Sequence, residues 1–432
     1  MTRLGLATAG LITLTLLLTL LTLWTAAKAQ DERQRWLDAL NALPGVGATW
    51  LSIDDGVFTQ RGELHLSILD ANSLLAHWPL AHSATVDWQS LLSSADLYLS
   101  IDSYTLPGWL QHDARLILSR GTPGQWQQSG VLSAGEHHLI LSAALWQEPQ
   151  LTLESDAWQL NLAPLVIHCG TTQLHWQAAP NRRQQQINWQ LASLELSSAD
   201  QHTAIGDWRG ALTLVRQNDS WLLPVFNSQL GLLQHESAER RLALFNSDLK
   251  LTTSANLQGL VSLIDLQAQG QLEKGEWVDQ THAYQLAKLD TGILLSGIDI
   301  QGYQALLWAA MTQFEDSTVW RAALNRVTRS GFHMRIAPSG FQLANNAIHA
   351  QGDVTSRPFD MAELHDLASF RSLLQASLDI EAAGNLAPVI TDEATLLAIR
   401  QAGYIEDRAG RLRSRLRIVN GKLSANGYAL HW

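Results

Sequence analysis

From about residue 60 onward, apolar and polar positions alternate with a period of two, the spacing of a strand with one buried face. Glu63–Ile68, Asp96–Ile101 and Arg115–Ser119 read this way. So do Leu151–Leu153, Gln186–Leu191 with Leu194–Leu196, Ala211–Val215 and Asp248–Thr252. Turn-forming clusters separate them, among them Gly121–Gly124 and Gln217–Ser220. No helical period intervenes, so the pattern predicts an antiparallel meander rather than alternating β and α units.

The two ends differ. Residues 4–27 carry no charge and are dominated by Leu, Thr and Ala. That is longer than the about 20 residues a bilayer-crossing helix needs, and longer than the core of a signal peptide. The stretch predicts a membrane anchor, with a cleaved signal as the alternative because Ala27-Lys28-Ala29 offers a peptidase pattern. Asp31–Leu43 follows as a short amphipathic helix stopped by Pro44.

Past Gly302 the pattern mixes helix and strand. Helices are predicted over Tyr303–Phe314 and from Ser317 to a stop at Gly331. Two more are predicted, from Asp360 to about Leu374 and from Thr391 to Gln401. Phe332–Ile336 and Phe341–Leu343 predict a hairpin turning at Ala337–Gly340, and Ser377–Ile380 predicts a strand. The fold class is therefore mainly β with an α+β C-terminal part: a long meander or curled sheet behind an N-terminal transmembrane helix. The expected domains are an anchor over 1–30, a β-rich body over 31–301 and an α+β part over 302–432.

Composition narrows the function. Apolar residues make up 46% of the chain, enough for a packed core, while charged residues are only 16%. A formal charge of −11 argues against nucleic acid as a partner, because phosphate binding needs cations. The single cysteine, Cys169, lies in an apolar run, which reads as a buried inert thiol. The 17 tryptophans fit half-buried sheet faces.

Candidate chemistry is sparse. His137 and His138 are adjacent, so a strand points them to opposite faces, and His77 and His82 flank Pro79 without ligand spacing. Asp54-Asp55 and Glu315-Asp316 read as turn or capping carboxylates. No nucleophile elbow, phosphate loop or dinucleotide fingerprint occurs. No catalytic residue, cofactor or metal is expected. The sharpest feature is Arg411–Ile418, where Arg411, Arg413, Arg415 and Arg417 share one strand face and Leu412, Leu416 and Ile418 the other. Such a stripe suits an anionic ligand or lipid headgroup, or a charged solvent face that discourages edge aggregation.

Three places resemble the YdgA-like family of bacterial inner-membrane-anchored periplasmic proteins. They are Ala48–Gly62, read as an aromatic-rich strand with an Arg-Gly turn, Trp320–Gly340, and Gly403–Gly427. Family members more often carry Gly-Trp-Phe after the Arg, where this chain has Gly62-Glu63-Leu64. Architecture alone is also similar to AsmA-like and TamB-like proteins, which are implicated in envelope lipid traffic. The resemblance implies a single-pass inner-membrane protein with a β-rich periplasmic body and no catalytic residues to carry over. The expected function is envelope homeostasis with lipid bound in an apolar groove of a curled sheet. The alternative is a scaffold or interaction protein with a packed β-sandwich binding another envelope protein, and an enzyme of unknown class comes third.

Overall fold

The computed structural model describes residues 3–75, 89, 93, 95–144, 147–162, 164–179, 183–217, 220–258, 261–279, 283–312, 317–343, 346–361, 371–383 and 393–430. The chain forms two compact units, Met1–Ala199 and Asp200–Trp432.

In the first unit helix α1 (Arg3–Asn41) leads into strands β1 (Val46–Asp55) and β2 (Thr59–Ile68). A short helix, α2 (Ala71–Leu75), then precedes β3 (Asp96–Leu106) and β4 (Trp109–Leu116). Helix α3 (Gly121–Gln128) precedes β5 (Leu132–Ala134), β6 (His137–Ala144), β7 (Gln147–Ser155) and β8 (Trp158–Leu162). Strands β9 (Leu165–Cys169), β10 (Thr172–Ala178) and β11 (Gln184–Ser197) complete the unit.

All these pairings are antiparallel, and β1 to β4 pair in chain order. Beyond β4, the short strands join end to end. β5 continues into β6, β7 into β8 and β9 into β10, because each couple keeps one register against its neighbours. The interruptions fall at one level, at Gly135–Glu136, Asp156–Ala157 and Gly170–Thr171, and local bonds such as Asp156 N–H to Glu136 O (2.9 Å) replace the ladder there. A Cβ at Gly135 would lie 2.5 Å from that of Asp156, so glycine permits the close approach.

The second half of α1 packs on β1–β4, where Leu37 and Leu40 meet Ala48, Leu64, Ile101 and Ala114. The Asn41 side-chain amide exchanges two bonds with the Ala48 backbone, 2.7 and 3.0 Å, standing in for a neighbouring strand.

The second unit is built from long strands: β12 (Gln201–Gln217), β13 (Ser220–Ser237), β14 (Arg240–Gln258), β15 (Val261–Asp279) and β16 (Ala283–Asp299). At 17–19 residues these span about 60 Å, against a usual strand of about 5–6 residues. After helices α4 (Ile300–Thr312) and α5 (Ser317–Thr328) come β17 (Phe332–Leu343), β18 (Asn346–Ser356) and β19 (Leu374–Ala383). Helix α6 (Glu393–Gln401) precedes β20 (Glu406–Arg408), β21 (Arg411–Val419), β22 (Lys422–Ala425) and β23 (Tyr428–Ala429). Strands β12 to β19 pair in chain order, and β21 pairs with β19 on one side and with β20 and β22 on the other.

One row of residues crosses the five long strands without ladder pairing: Asp207, Gly231, Asn246, Glu273 and Lys288. Asp207, Asn246 and Lys288 have φ of 51–53° there, so every second strand steps through the left-handed region at this level. The apolar alternation changes phase at the row, from Leu242 and Leu244 to Leu249 and Leu251 on β14. Helices α4 and α5 cover one end of the sheet, burying Ile264, Ile298, Leu222, Tyr303 and Val327 in a common core. Helix α6 sets Leu396 on Leu412, on the same apolar side.

Several expectations are corrected. Among the described residues no helix is long and apolar enough to cross a membrane, so the predicted transmembrane anchor over 4–27 is not supported. The single-pass inner-membrane placement and the membrane as partner fall with it. The physical reason lies in the helix's contacts. Protein covers one face of α1 from Thr22 onward, burying Thr22, Thr25, Ala29 and Arg33, and Gly108 N–H donates to Thr25 Oγ1 (3.3 Å). The end of the apolar run is thus a docking face for the sheet, and the amphipathic helix predicted over Asp31–Leu43 is the same helix continued.

Gly121–Gly124 opens α3 rather than a turn. The hairpin predicted at Ala337–Gly340 is a single strand, β17, with a bulge between Ile336 and Ser339. Arg61-Gly62 is mid-strand, with Gly62 opposite Ser52. The helix predicted from Asp360 falls mainly outside the described residues.

Candidate interaction surfaces of the long sheet

Two tight turns place the arginine stripe. Asn420–Gly421 (φ 51°, 74°) and Asn426–Gly427 (φ 50°, 90°) have the paired left-handed residues that suit two-residue hairpins. Asn426 then pins its turn over β21, accepting from Arg415 N–H (2.8 Å) and donating to Tyr404 O (3.1 Å). The strand is held in one register, and Arg411, Arg413, Arg415 and Arg417 emerge exposed on a single face, as the alternation predicts.

Their partners sit on β19, directly opposite. Arg411 and Arg413 share Glu381, with Arg413 Nη2 at 2.8 Å, and Arg415 Nε pairs with Asp379. The two arginines hold the Glu381 carboxyl below the usual carboxylate range, chiefly through the Arg411 hydrogen bond. The bond to Asp379 raises the Arg415 pKa. Arg417 faces Ser377, and among the described residues no carboxylate reaches it. Exposed pairs of this kind add little stability. The same face recedes into a groove of about 1270 Å³ between β16 and β22, lined by the last three arginines of the stripe with Arg408, Lys288 and His349.

The opposite face is apolar. Row by row it carries Trp208, Leu230, Ser247, Leu272 and Leu289, then Leu249 between Ser228 and Gly270, then Leu212, Phe226, Leu251, Ile293 and Ile336. Near α4 and α5 this face is closed. Away from them Trp208, Leu249 and Ile293 remain 36%, 42% and 38% exposed.

A third arrangement was invisible in the sequence. Ser103 Oγ lies 2.8 Å from His112 Nδ1, and His112 Nε2 lies 3.5 Å from Glu32 Oε2. The trio has the residue types of a hydrolase relay, drawn from α1, β3 and β4, and no spacing motif links them. Burial decides against catalysis: Ser103 and His112 are 1% and 2% exposed, under α1, with Trp36 edge-on to the imidazole at 4.7 Å. No substrate reaches the hydroxyl. The cluster instead docks the helix, together with Arg33, whose guanidinium lies over the Trp50 ring at 5.0 Å. Burial lowers the Arg33 pKa, and Asp55 at 3.7 Å opposes the shift.

The other candidates are placed as follows. Cys169 is buried, 3.7 Å from Thr172 Oγ1. His137 Nδ1 meets Ser155 Oγ at 2.7 Å, while His138 meets Glu136 and Asp113. Asp54 and Asp55 end β1. His77, His82, Glu315 and Asp316 lie outside the described residues.

No known protein family, curated protein or solved structure matches the chain.

Proposed function

We propose that the chain is a non-catalytic interaction protein whose second unit binds another protein through the apolar face of its long sheet. One observation carries the reading: Trp208, Leu249 and Ile293 stand exposed on a regular face, away from the end that α4 and α5 close. Contiguous exposed apolar surface on a rigid sheet marks an interaction site. Bulky anchors spaced along long strands suit a partner that covers the face as a second layer would.

The test is paired. Leu249→Asp with Ile293→Asp is expected to abolish co-purification of a stoichiometric partner while the chain keeps its β circular-dichroism spectrum and unfolds cooperatively, since neither side chain belongs to the closed core. Retention of the partner by the double variant overturns the reading.

A further inference from the structure

We propose that the arginine-lined groove on the opposite face binds an extended acidic peptide segment, with acidic side chains at every second position. The inference rests on the reading of this chain as an interaction protein and supplies the chemistry of a partner at a second surface.

The spacing comes first. Arg413, Arg415 and Arg417 are alternate residues of one strand, so their stems repeat about every 6.7 Å. A peptide in strand conformation presents alternate side chains at that same interval. Valence comes second. Arg415 meets Asp379 through Nε and feels the Glu406 carboxylate as well, yet a guanidinium carries five donors and can serve a further carboxylate. Arg417 has no carboxylate in reach among the described residues. Charge comes third. On a chain of formal charge −11 the groove is nonetheless cationic on balance, with Lys288, Arg408, Arg413, Arg415 and Arg417 set against Asp290, Asp379, Glu381 and Glu406.

The shape selects among anions. A recess with Asp379, Glu381 and Glu406 set between its arginines keeps a flat anionic surface at a distance but admits a single chain that threads between the carboxylates. A small oxyanion meets one arginine at a time and gains nothing from the repeat.

The experiment uses the full chain and a fluorescein-labelled peptide of alternating glutamate and serine, read by anisotropy at low ionic strength. Binding is expected, weakening as salt rises. Arg415→Ser with Arg417→Ser is expected to weaken it about tenfold or more, because charge-assisted contacts are lost. Leu249→Asp with Ile293→Asp is expected to leave it unchanged, so failure here is distinct from failure at the apolar face. A peptide of the same composition with glutamates in adjacent pairs is expected to bind more weakly. No binding, or binding indifferent to the arginine substitutions or to glutamate spacing, overturns the proposal. So does tighter binding of inorganic phosphate or of phosphatidylglycerol vesicles at the same arginines.

Discussion

Replacing Ile264 by alanine is expected to destabilise the second unit by about 2–5 kcal/mol, the range for emptying a closed aliphatic site. Ile264 is fully buried, opposite Ile298 on the neighbouring strand, and it packs where α4 and α5 close the sheet against Tyr303 and Val327. A rigid sheet below and two helices above limit collapse into the cavity. Denaturant unfolding followed by circular dichroism checks the value. The same substitution at Leu249 is expected to change the midpoint little, because that side chain is 42% exposed. Equal losses at the two sites would mean that the middle of the sheet is as closed as its helix-covered end.

Gly62→Ala is expected to destabilise the first unit by about 1–3 kcal/mol or more through overpacking. A Cβ at Gly62 would lie 2.1 Å from Trp50 Cζ2 and 2.8 Å from Leu51 O, so the indole has to move. Moving it removes the platform under Arg33 and loosens α1 where the buried polar cluster docks it. A double-mutant cycle with Trp50→Ala separates the cause. If the indole is the obstacle, the double variant loses less stability than the sum of the two singles. Strict additivity would place the strain in the backbone instead.

The fold was readable in the sequence where local pattern and tertiary pairing agree. The strand Arg411–Val419 could be read face by face, because its alternation is unbroken and nothing interrupts its register. The helix stop at Gly331 was legible for a similar reason: the glycine takes a left-handed φ of 70° that a helix end requires. The long strands were only partly legible. Asp207, Asn246 and Lys288 shift the period midway, so a window centred on any of them shows no alternation, although the strand continues on both sides.

Local turn chemistry also misled where tertiary pairing overrode it. Ala337-Pro338-Ser339-Gly340 has the composition of a turn, yet β16 and β18 hold it as a bulge in one strand. Gly121-Thr122-Pro123-Gly124 has the same turn composition, yet it opens a helix. The apolar run at the N-terminus was misread because composition cannot say which part of a helix a sheet will cover. The Ser103–His112–Glu32 cluster had no signal at all, since its members are brought together only by the docking of α1 on β3 and β4.

The central claim is that the apolar face of the long sheet meets a protein partner distinct from any acidic segment held in the groove of the opposite face. A photoreactive residue at position 249 or 293 samples the first face, and one at position 271 the second. The account predicts a protein adduct of one defined mass from 249 and 293 in cells, and none of that mass from 271. Absence of any protein adduct at 249 and 293, or an identical adduct from both faces, would contradict it.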